Sequence, residues 1–114
     1  MDESILNSVK LDLGIVEEDT SFDHELVTLI NTALFRCRQL NVGADNFVIT
    51  DQTAKWSNFL GEDLNKYAIV KSLVKDSVQL AFDPPSNSFL VSAIEKRIEK
   101  YEALILYESD PVYE

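Results

Sequence analysis

The sequence predicts an all-α protein, a small helical bundle of three long and two short helices with one irregular segment at residues 42–52. Apolar residues recur at helical spacing along most of the chain, and each of the three glycines follows such a stretch, where a helix ends. A length of 114 residues with 46% hydrophobic content suffices for one domain with its own core. We expect this domain to span residues 1–108 and to be followed by a flexible acidic tail at 109–114.

Two helices are predicted in the first third of the chain, a short one over about residues 3–13 and a long one over about 22–41. Thr20 followed by Asp23 resembles a capping box at the start of the long helix, with Asp in place of the usual Glu. Both helices have one apolar face with spacings of three and four. These faces consist of Ile5, Val9 and Leu13 in the first helix and Leu26, Ile30, Ala33, Cys37 and Leu40 in the second.

Residues 42–52 are too short and too rich in β-branched side chains for a helix, and their part from 47 to 50 is predicted to be extended, with a short strand as the alternative to a loop. This segment is a candidate partner-contact loop. The candidate contact residues are Phe47, Val48, Ile49 and Thr50.

A second short helix follows, capped by Thr50 or Asp51 and ended by Gly61. Trp56 and Phe59 share its apolar face. They either close over the core or stay exposed as anchors for a partner, because aromatic side chains dominate interface hot spots.

The third long helix, over about residues 63–82, is apolar around most of its circumference, so it is covered on several sides. It is therefore either the central helix of the domain or a helix covered by another subunit, and the second possibility favours an oligomer. Its polar residues form one narrow stripe of Asn65, Ser72, Asp76, Gln79 and Asp83.

Asp83, Pro84 and Pro85 form an elbow that ends this helix and fixes the direction of the next one. The last helix spans about residues 88–108, with Ser86, Asn87 or Ser88 as its cap. Its apolar face consists of Leu90, Ile94, Ile98, Tyr101 and Ile105.

The net charge of −10 is concentrated at the two ends of the chain. Residues 1–25 carry eight acidic side chains and one basic, residues 101–114 carry four acidic and none basic, and the middle is nearly neutral. A protein that grips DNA through its phosphates needs a basic face, so this function is excluded. Passage of DNA past the protein is compatible with the charge, because acidic groups repel phosphates.

The sequence gives no support for an enzyme, a cofactor or a metal site. Cys37 lies in an apolar stripe and His24 lies near the start of the same predicted helix, which places them about 20 Å apart at ~1.5 Å per residue. The acids around residues 17–23 lack the alternating ligands and the turn glycine of a calcium loop. No apolar run approaches the ~18–20 residues of a membrane span, and the single cysteine suits a reducing compartment.

Short motifs occur along residues 5–105, between and within the predicted helices. They are VKLDLG at 9–14, DTSFD at 19–23, LIN at 29–31, ITD at 49–51, KW at 55–56, FLG at 59–61, FDPPSNSF at 82–89 and AIEKRI at 93–98. In this order, these motifs resemble the head–tail connector (neck adaptor) proteins of tailed bacteriophages. The end of the last helix, YEAL at 101–104, departs from the family pattern.

The resemblance implies a structural subunit, not an enzyme, that assembles into a closed ring of about a dozen copies below the portal of the filled capsid. Such a ring extends the DNA channel and provides a platform for the next neck or tail protein. The third and last long helices would pack against neighbouring subunits, and either the loop at 42–52 or the tail would engage the portal or the next ring. Its implied partners are further copies of itself, the portal and that next protein, with no sequence-specific binding to the passing DNA and no membrane. The protein is then found in the virion neck, after assembly in the host cytoplasm. Motif residues with a structural role would be Asp83, Pro84, Pro85, Phe89, Trp56 and Phe59.

The acidic N-terminal region has a possible role in this setting. If these side chains line the lumen of the ring, they repel the DNA and let it slide. The candidate lumen acids are Glu17, Glu18, Asp19 and Asp23. The alternative for the whole chain is a small acidic helical binding protein, a DNA mimic or a regulator of a host protein, although its acids are not arrayed along one face.

Overall fold

Five helices form the part of the chain that the computed structural model describes, residues 3–61 and 66–109. Three are long and two are short, and these residues form no strand, so the all-α prediction is confirmed. Residues 110–114 of the tail predicted at 109–114, and the predicted beginning of the third long helix at 63–65, lie outside the described residues, whereas Ser109 is the last residue of the final helix. The helices are α1 (Ile5–Asp12), α2 (Asp23–Gln39), α3 (Trp56–Leu60), α4 (Tyr67–Phe82) and α5 (Ser88–Ser109).

Hydrogen bonds define both ends of α1. At its start, the Ser4 hydroxyl accepts a hydrogen bond from the backbone N–H of Asn7 at 3.1 Å. At its end, Gly14 has a φ of 80° and the N–H of Ile15 donates to the carbonyl of Lys10 at 2.8 Å, the pattern of a Schellman motif. The prediction that Gly14 ends this helix is confirmed.

The predicted capping box of α2 is wrong. The helix begins at Asp23 without a side-chain cap, and the Thr20 carbonyl accepts from the Asp23 N–H at 3.2 Å. The Asp23 carboxylate is instead used in an ion pair with Lys10 at 2.9 Å. Sequence spacing is compatible with both arrangements. The ion pair forms in the structure because it satisfies the buried Lys10 charge on α1.

The end of α2 also differs from the prediction, because Asn41 and not Gly43 is the residue of left-handed conformation just after the end of the helix. Asn41 has a φ of 69°, and the N–H of Val42 donates to the carbonyl of Cys37 at 3.0 Å. Gly43 has a different role. It lies against the ring of Phe59, and a Cβ atom at this position would overlap that ring.

Helix α4 is the centre of the fold, packed between α2 on one side and α5 on the other. Phe22 before α2 meets Phe82 at the end of α4, with ring centroids 5.3 Å apart, so α2 and α4 run in opposite directions. The apolar circumference of α4 is therefore covered within the chain. Of the two interpretations of this helix, the central position is the one the structure shows. Its buried apolar residues are Val70, Leu73, Val74 and Val78.

The predicted polar stripe of α4 faces α5 at one position. Asp76 is buried, and the Arg97 guanidinium donates two hydrogen bonds of 3.0 Å to its carboxylate oxygens. Nearer the C-terminus of α5, Arg36 of α2 binds Glu102 in the same two-bond manner at 2.9 and 3.3 Å. These two arginine pairs hold α5 in register with the rest of the domain.

Residues 42–52 are irregular, as predicted, but the alternative of a strand at 47–50 is wrong. The Asn31 side chain takes the place of a neighbouring strand: its amide donates to the Ile49 carbonyl at 3.0 Å and its oxygen accepts from the Ile49 N–H at 2.8 Å. The only β-type pairing in the described residues joins Ser4 to Lys55. It brings the starts of α1 and α3 together.

The short helix α3 begins later than predicted, at Trp56, so neither Thr50 nor Asp51 caps it. Asp51 instead forms a turn with Thr53, whose N–H donates to its carboxylate at 2.9 Å. At the start of α3, the Asn58 side chain accepts from the N–H of Lys55 at 2.8 Å, and the Glu3 carbonyl accepts from the N–H of Trp56 at 3.1 Å.

Both aromatic residues of α3 are buried in the core, so the alternative that they are exposed anchors is wrong. The Trp56 indole N–H donates to the Ser8 hydroxyl at 2.9 Å, which satisfies the one polar group of this side chain.

Helix α5 begins after the Asp83–Pro85 elbow, and Asn87 caps it by accepting from the N–H of Phe89 at 2.7 Å. In its predicted apolar face, Ile94 and Ile105 are buried, and Ile98 and Tyr101 are half-buried. Leu90 is the exception, since 51% of it is exposed to solvent. The N-terminal turn of α5 therefore places more apolar surface in solvent than its periodicity indicates.

Candidate interaction surfaces

A groove of about 530 Å³ lies along α1 and the turn that follows it; we call this the α1 groove. Two of its apolar side chains, Leu11 and Val16, are 74% and 64% exposed. Glu17 and Glu18 stand beside them with exposed side chains. Its lining residues are Glu3, Ser4, Asn7, Ser8, Leu11, Ile15, Val16, Glu17 and Glu18.

The wall of the α1 groove is held in place by Lys10, which is only 1% exposed. Its ammonium donates to the carbonyl of Glu17 at 3.0 Å and forms the ion pair with Asp23. One buried lysine thus connects α1, the turn at 15–18 and the first residue of α2. Residues 15–18, irregular in themselves, are fixed against α1 by this contact.

The four candidate lumen acids divide into two pairs. The carboxylate of Asp23 is committed to Lys10, and hydrogen bonds from Ser21 lower the pKa of Asp19. Glu17 and Glu18 have exposed carboxylates at the rim of the α1 groove. Of the four, these two are the most accessible to another molecule, whether DNA or protein.

The base of α1 is fixed to α4 by a second polar cluster. Lys71 and the Tyr67 hydroxyl donate to the same Glu3 oxygen at 2.7 and 2.9 Å. The hydrogen bond from Lys71, followed by that from Tyr67, lowers the pKa of Glu3. The Tyr67 ring also meets the Trp56 ring edge to face, so the cluster rests directly on the core.

The second surface is the side of α5 that faces away from α4, which we call the α5 outer face. Phe89, Ala93, Lys96 and Lys100 follow one another at spacings of four, three and four, and all four are exposed. Phe89, one of the motif residues, is 77% exposed. The elbow residues Asp83 and Pro84 before it are exposed as well.

The candidate partner-contact loop is only partly available. Ile49 is buried, and Phe47 is half-buried with its ring 5.2 Å from that of Phe59. Val48 and Thr50 point outward, since alternate residues of an extended segment face opposite sides. Contact with a partner through this loop would therefore fall to Val48 and Thr50.

The two residues considered for nucleophilic chemistry do not meet. Cys37 is fully buried, and this burial raises the pKa of its thiol to about 12, which keeps it protonated. His24 is exposed at the start of α2. In the described part of the chain, no three residues among His, Cys, Asp and Glu are grouped so that they could hold a metal ion.

Sequence reasoning missed the α1 groove and the role of Lys10. One signal was present, since Lys10 is the only basic residue among eight acids in the first 25 residues and directly follows the buried Val9. A single base in an acidic segment, next to an apolar face, indicates an internal ion pair. The shape of the groove itself depends on the path of residues 15–18, which have no periodicity.

These features define a small helical protein whose distinctive surfaces are suited to contacts with other proteins. A family model described as "Phage connector protein" matches residues 5–111, so the chain belongs to the phage connector protein family. This family is structural, and membership makes the chain a bacteriophage protein of the head–tail connector type and a component of the virion. Neither the curated proteins nor the solved structures gave a match. None of the described helices is long and apolar enough to cross a membrane.

Proposed function

We propose that this chain is the subunit of a closed ring that binds below the portal of the filled head, extends the DNA channel and provides a platform for the next neck or tail protein. Membership of the phage connector family over residues 5–111 is the observation that carries the proposal. The matched region contains all five helices, so it concerns the whole fold.

The surfaces of the described residues support a subunit with several neighbours. The apolar side chains of α4 are mostly covered by α2 and α5, so little of its apolar surface is left for a neighbouring subunit. Exposed apolar groups lie instead in the α1 groove, at Phe35 on α2, at Val48 and near both ends of α5. Such separate surfaces suit a ring subunit, which needs two contacts for its neighbours and at least one for the structure above or below.

The loop around Val48 and Thr50 is our candidate for contact with the portal or with the next ring. The net charge of −10 suits a channel through which DNA slides without sequence-specific binding. The protein would assemble in the host cytoplasm and remain in the virion neck.

A head-completion assay tests this function. Heads from a phage that lacks the gene are expected to package DNA but to bind no tails, and the purified protein should restore infectious particles. A Val48→Asp variant tests the loop, with Thr32→Asp on the exposed side of α2 as the control. Heads that bind tails equally well without the protein would contradict the proposal.

The same assay distinguishes the connector role from the alternative, an acidic binding protein. A DNA mimic would leave head completion unchanged and would retain nucleic-acid-binding host proteins with a strong dependence on salt. The net charge of −10 is the observation behind this alternative, but the acids do not form one continuous face, since Lys96 and Lys100 stand exposed on the longest described helix.

A further inference from the structure

We propose that neighbouring subunits contact each other through the α5 outer face of one copy and the α1 groove of the next. This inference rests on the proposed ring and identifies the surface that would close it. The occupant of the groove is thus a second copy of this chain.

Charge complementarity supports this pairing. The α5 outer face exposes Lys96 and Lys100 one turn apart, and neither forms an ion pair within the described residues. The rim of the α1 groove exposes Glu17 and Glu18. Glu95 and Glu99 are exposed beside these lysines on α5, but the two lysines are the charges of the outer face, and they are opposite in sign to the acidic rim of the groove.

Each surface also has an apolar part next to its charges. On α5, Phe89 lies seven residues before Lys96, which is two turns and about 10 Å along the same face. In the groove, Leu11 and Val16 adjoin the acidic rim. An aromatic side chain that is 77% exposed would be buried in the groove while the lysines meet the glutamates.

The two surfaces lie on opposite sides of the domain, as a head-to-tail contact requires. The α1 side is attached to α4 through Tyr67, and α5 is attached through Asp76. Nine residues separate these positions, about two and a half helical turns, so they face opposite directions. A contact between different surfaces of identical subunits continues from copy to copy and forms a ring when the rotation closes.

This assignment gives Glu17 and Glu18 a role at the subunit interface and not in the lumen. Charge reversal separates the two roles. Glu17→Lys with Glu18→Lys should prevent assembly if the acids lie at the interface, whereas lumen acids would leave assembly intact and change only the release of DNA.

Disulfide cross-linking of the full-length chain tests the contact directly. Cys37 is buried, so the native thiol does not interfere. A Val16→Cys variant mixed with an Ala93→Cys variant should form a disulfide-linked heterodimer under mild oxidation if the two surfaces meet. The bond requires Cβ atoms roughly 4 Å apart, so its formation reports a direct contact. Val16→Cys mixed with Thr32→Cys is the matched control, since Thr32 is another small exposed residue in a helix.

The charges are tested in the same reaction. Adding Glu17→Lys and Glu18→Lys to the Val16→Cys partner should slow cross-linking by roughly tenfold. Adding Lys96→Glu and Lys100→Glu to the Ala93→Cys partner should then restore most of the rate. Equal yields with Ala93→Cys and Thr32→Cys, or no recovery in the doubly reversed pair, would overturn the interface.

A failure of the proposed interface can be distinguished from a failure of the proposed connector function. Head completion without specific cross-linking would leave the connector role and remove this interface. Specific cross-linking without head completion would leave the contact between copies and remove the connector role.

Discussion

Lys10 shows how one residue can determine the path of a segment without regular structure. Its ammonium is almost completely buried, and burial of a charge is unfavourable unless that charge is paired. The Asp23 oxygen at 2.9 Å is buried too and has no hydrogen bond of regular geometry in the described residues, so the two charges balance each other. The position of residues 15–18 follows from this pair.

Removal of one member of the pair should therefore destabilise the domain strongly. Asp23→Ala leaves the Lys10 charge buried without a counter-charge, with only the Glu17 carbonyl as a hydrogen-bond acceptor, and we expect the free energy of unfolding to fall by about 3 kcal/mol. Glu25→Ala, in the same first turn of α2 but exposed, is the control and should change it by less than about 1 kcal/mol. Urea unfolding followed by the fluorescence of the single Trp56 measures both.

The double variant Lys10→Met, Asp23→Leu completes this test. Apolar side chains of similar volume remove both charges, so most of the lost stability should return. A double variant as unstable as Asp23→Ala would show that the loss comes from packing and not from an unpaired charge.

Glu3 gives the stability a pH dependence with a defined sign. Its bonds to Lys71 and Tyr67 lower its pKa in the folded protein relative to the ordinary value of 4.5. The stabilisation is therefore present above about pH 4.5 and is lost as the pH falls through the lower, folded pKa. Since Glu3 is half exposed, we expect about 0.2–1 kcal/mol at neutral pH.

Comparison of the wild type with Glu3→Gln between pH 7 and pH 3 checks this. The wild type should be more stable at neutral pH, and the difference should shrink toward pH 3. Glu99→Gln, at an exposed position of α5 that lacks an ion pair in the described residues, should show no such trend. A difference for Glu3→Gln that grows on acidification would contradict the account.

At the scale of elements, helical periodicity predicted what depends on local spacing. All five helices occur, and in α2 every residue of the predicted apolar stripe is buried. The errors lie where a long-range contact determines the local structure. Lys10 forms an ion pair with Asp23, the residue predicted to complete the capping box of α2, and the Asn31 side chain binds the backbone of Ile49 where a strand partner would have done so. Spacing along the chain does not contain these contacts.

The candidate site was less predictable than the fold for the same reason. Phe89 and the acids at 17–18 were named from the sequence, but the groove beside those acids forms only when Lys10 holds the turn at 15–18. Trp56 and Phe59 could have been surface or core, and the contact of Trp56 with Ser8, 48 residues away, determines the core position.

The two arginine pairs on α5 should contribute different amounts to the stability of the domain, because their carboxylates differ in burial. Asp76 is 3% exposed, so Arg97→Ala leaves a buried charge unsatisfied and should cost about 2–3 kcal/mol of stability. Arg36→Ala breaks a similar bidentate pair with the more exposed Glu102 and should cost about 0–1 kcal/mol.

Urea unfolding of the two arginine variants, with hydrogen exchange along α5, is the measurement. Faster exchange in α5 is expected for Arg97→Ala in particular. Equal effects of the two substitutions would show that burial of the carboxylate does not determine the strength of these pairs.

At the scale of the whole molecule, the charge distribution and the shape are consistent with one account. The described fold is a flat body of 48 × 35 × 20 Å, and 20 Å corresponds to about two helix diameters. Its acidic N-terminal segment lies on one side of α4 and its exposed lysines lie on α5, on the other. In the proposed ring, the near-neutral middle of the sequence would thus carry the lysines of the contact surface.

Electron cryo-microscopy of the neck of the intact phage particle tests the central claim most directly. The account predicts a closed ring directly below the portal whose subunits have this five-helix fold, with α5 of each copy against the α1 groove of the next. A neck resolved to the level of helices in which no subunit has this fold would contradict it.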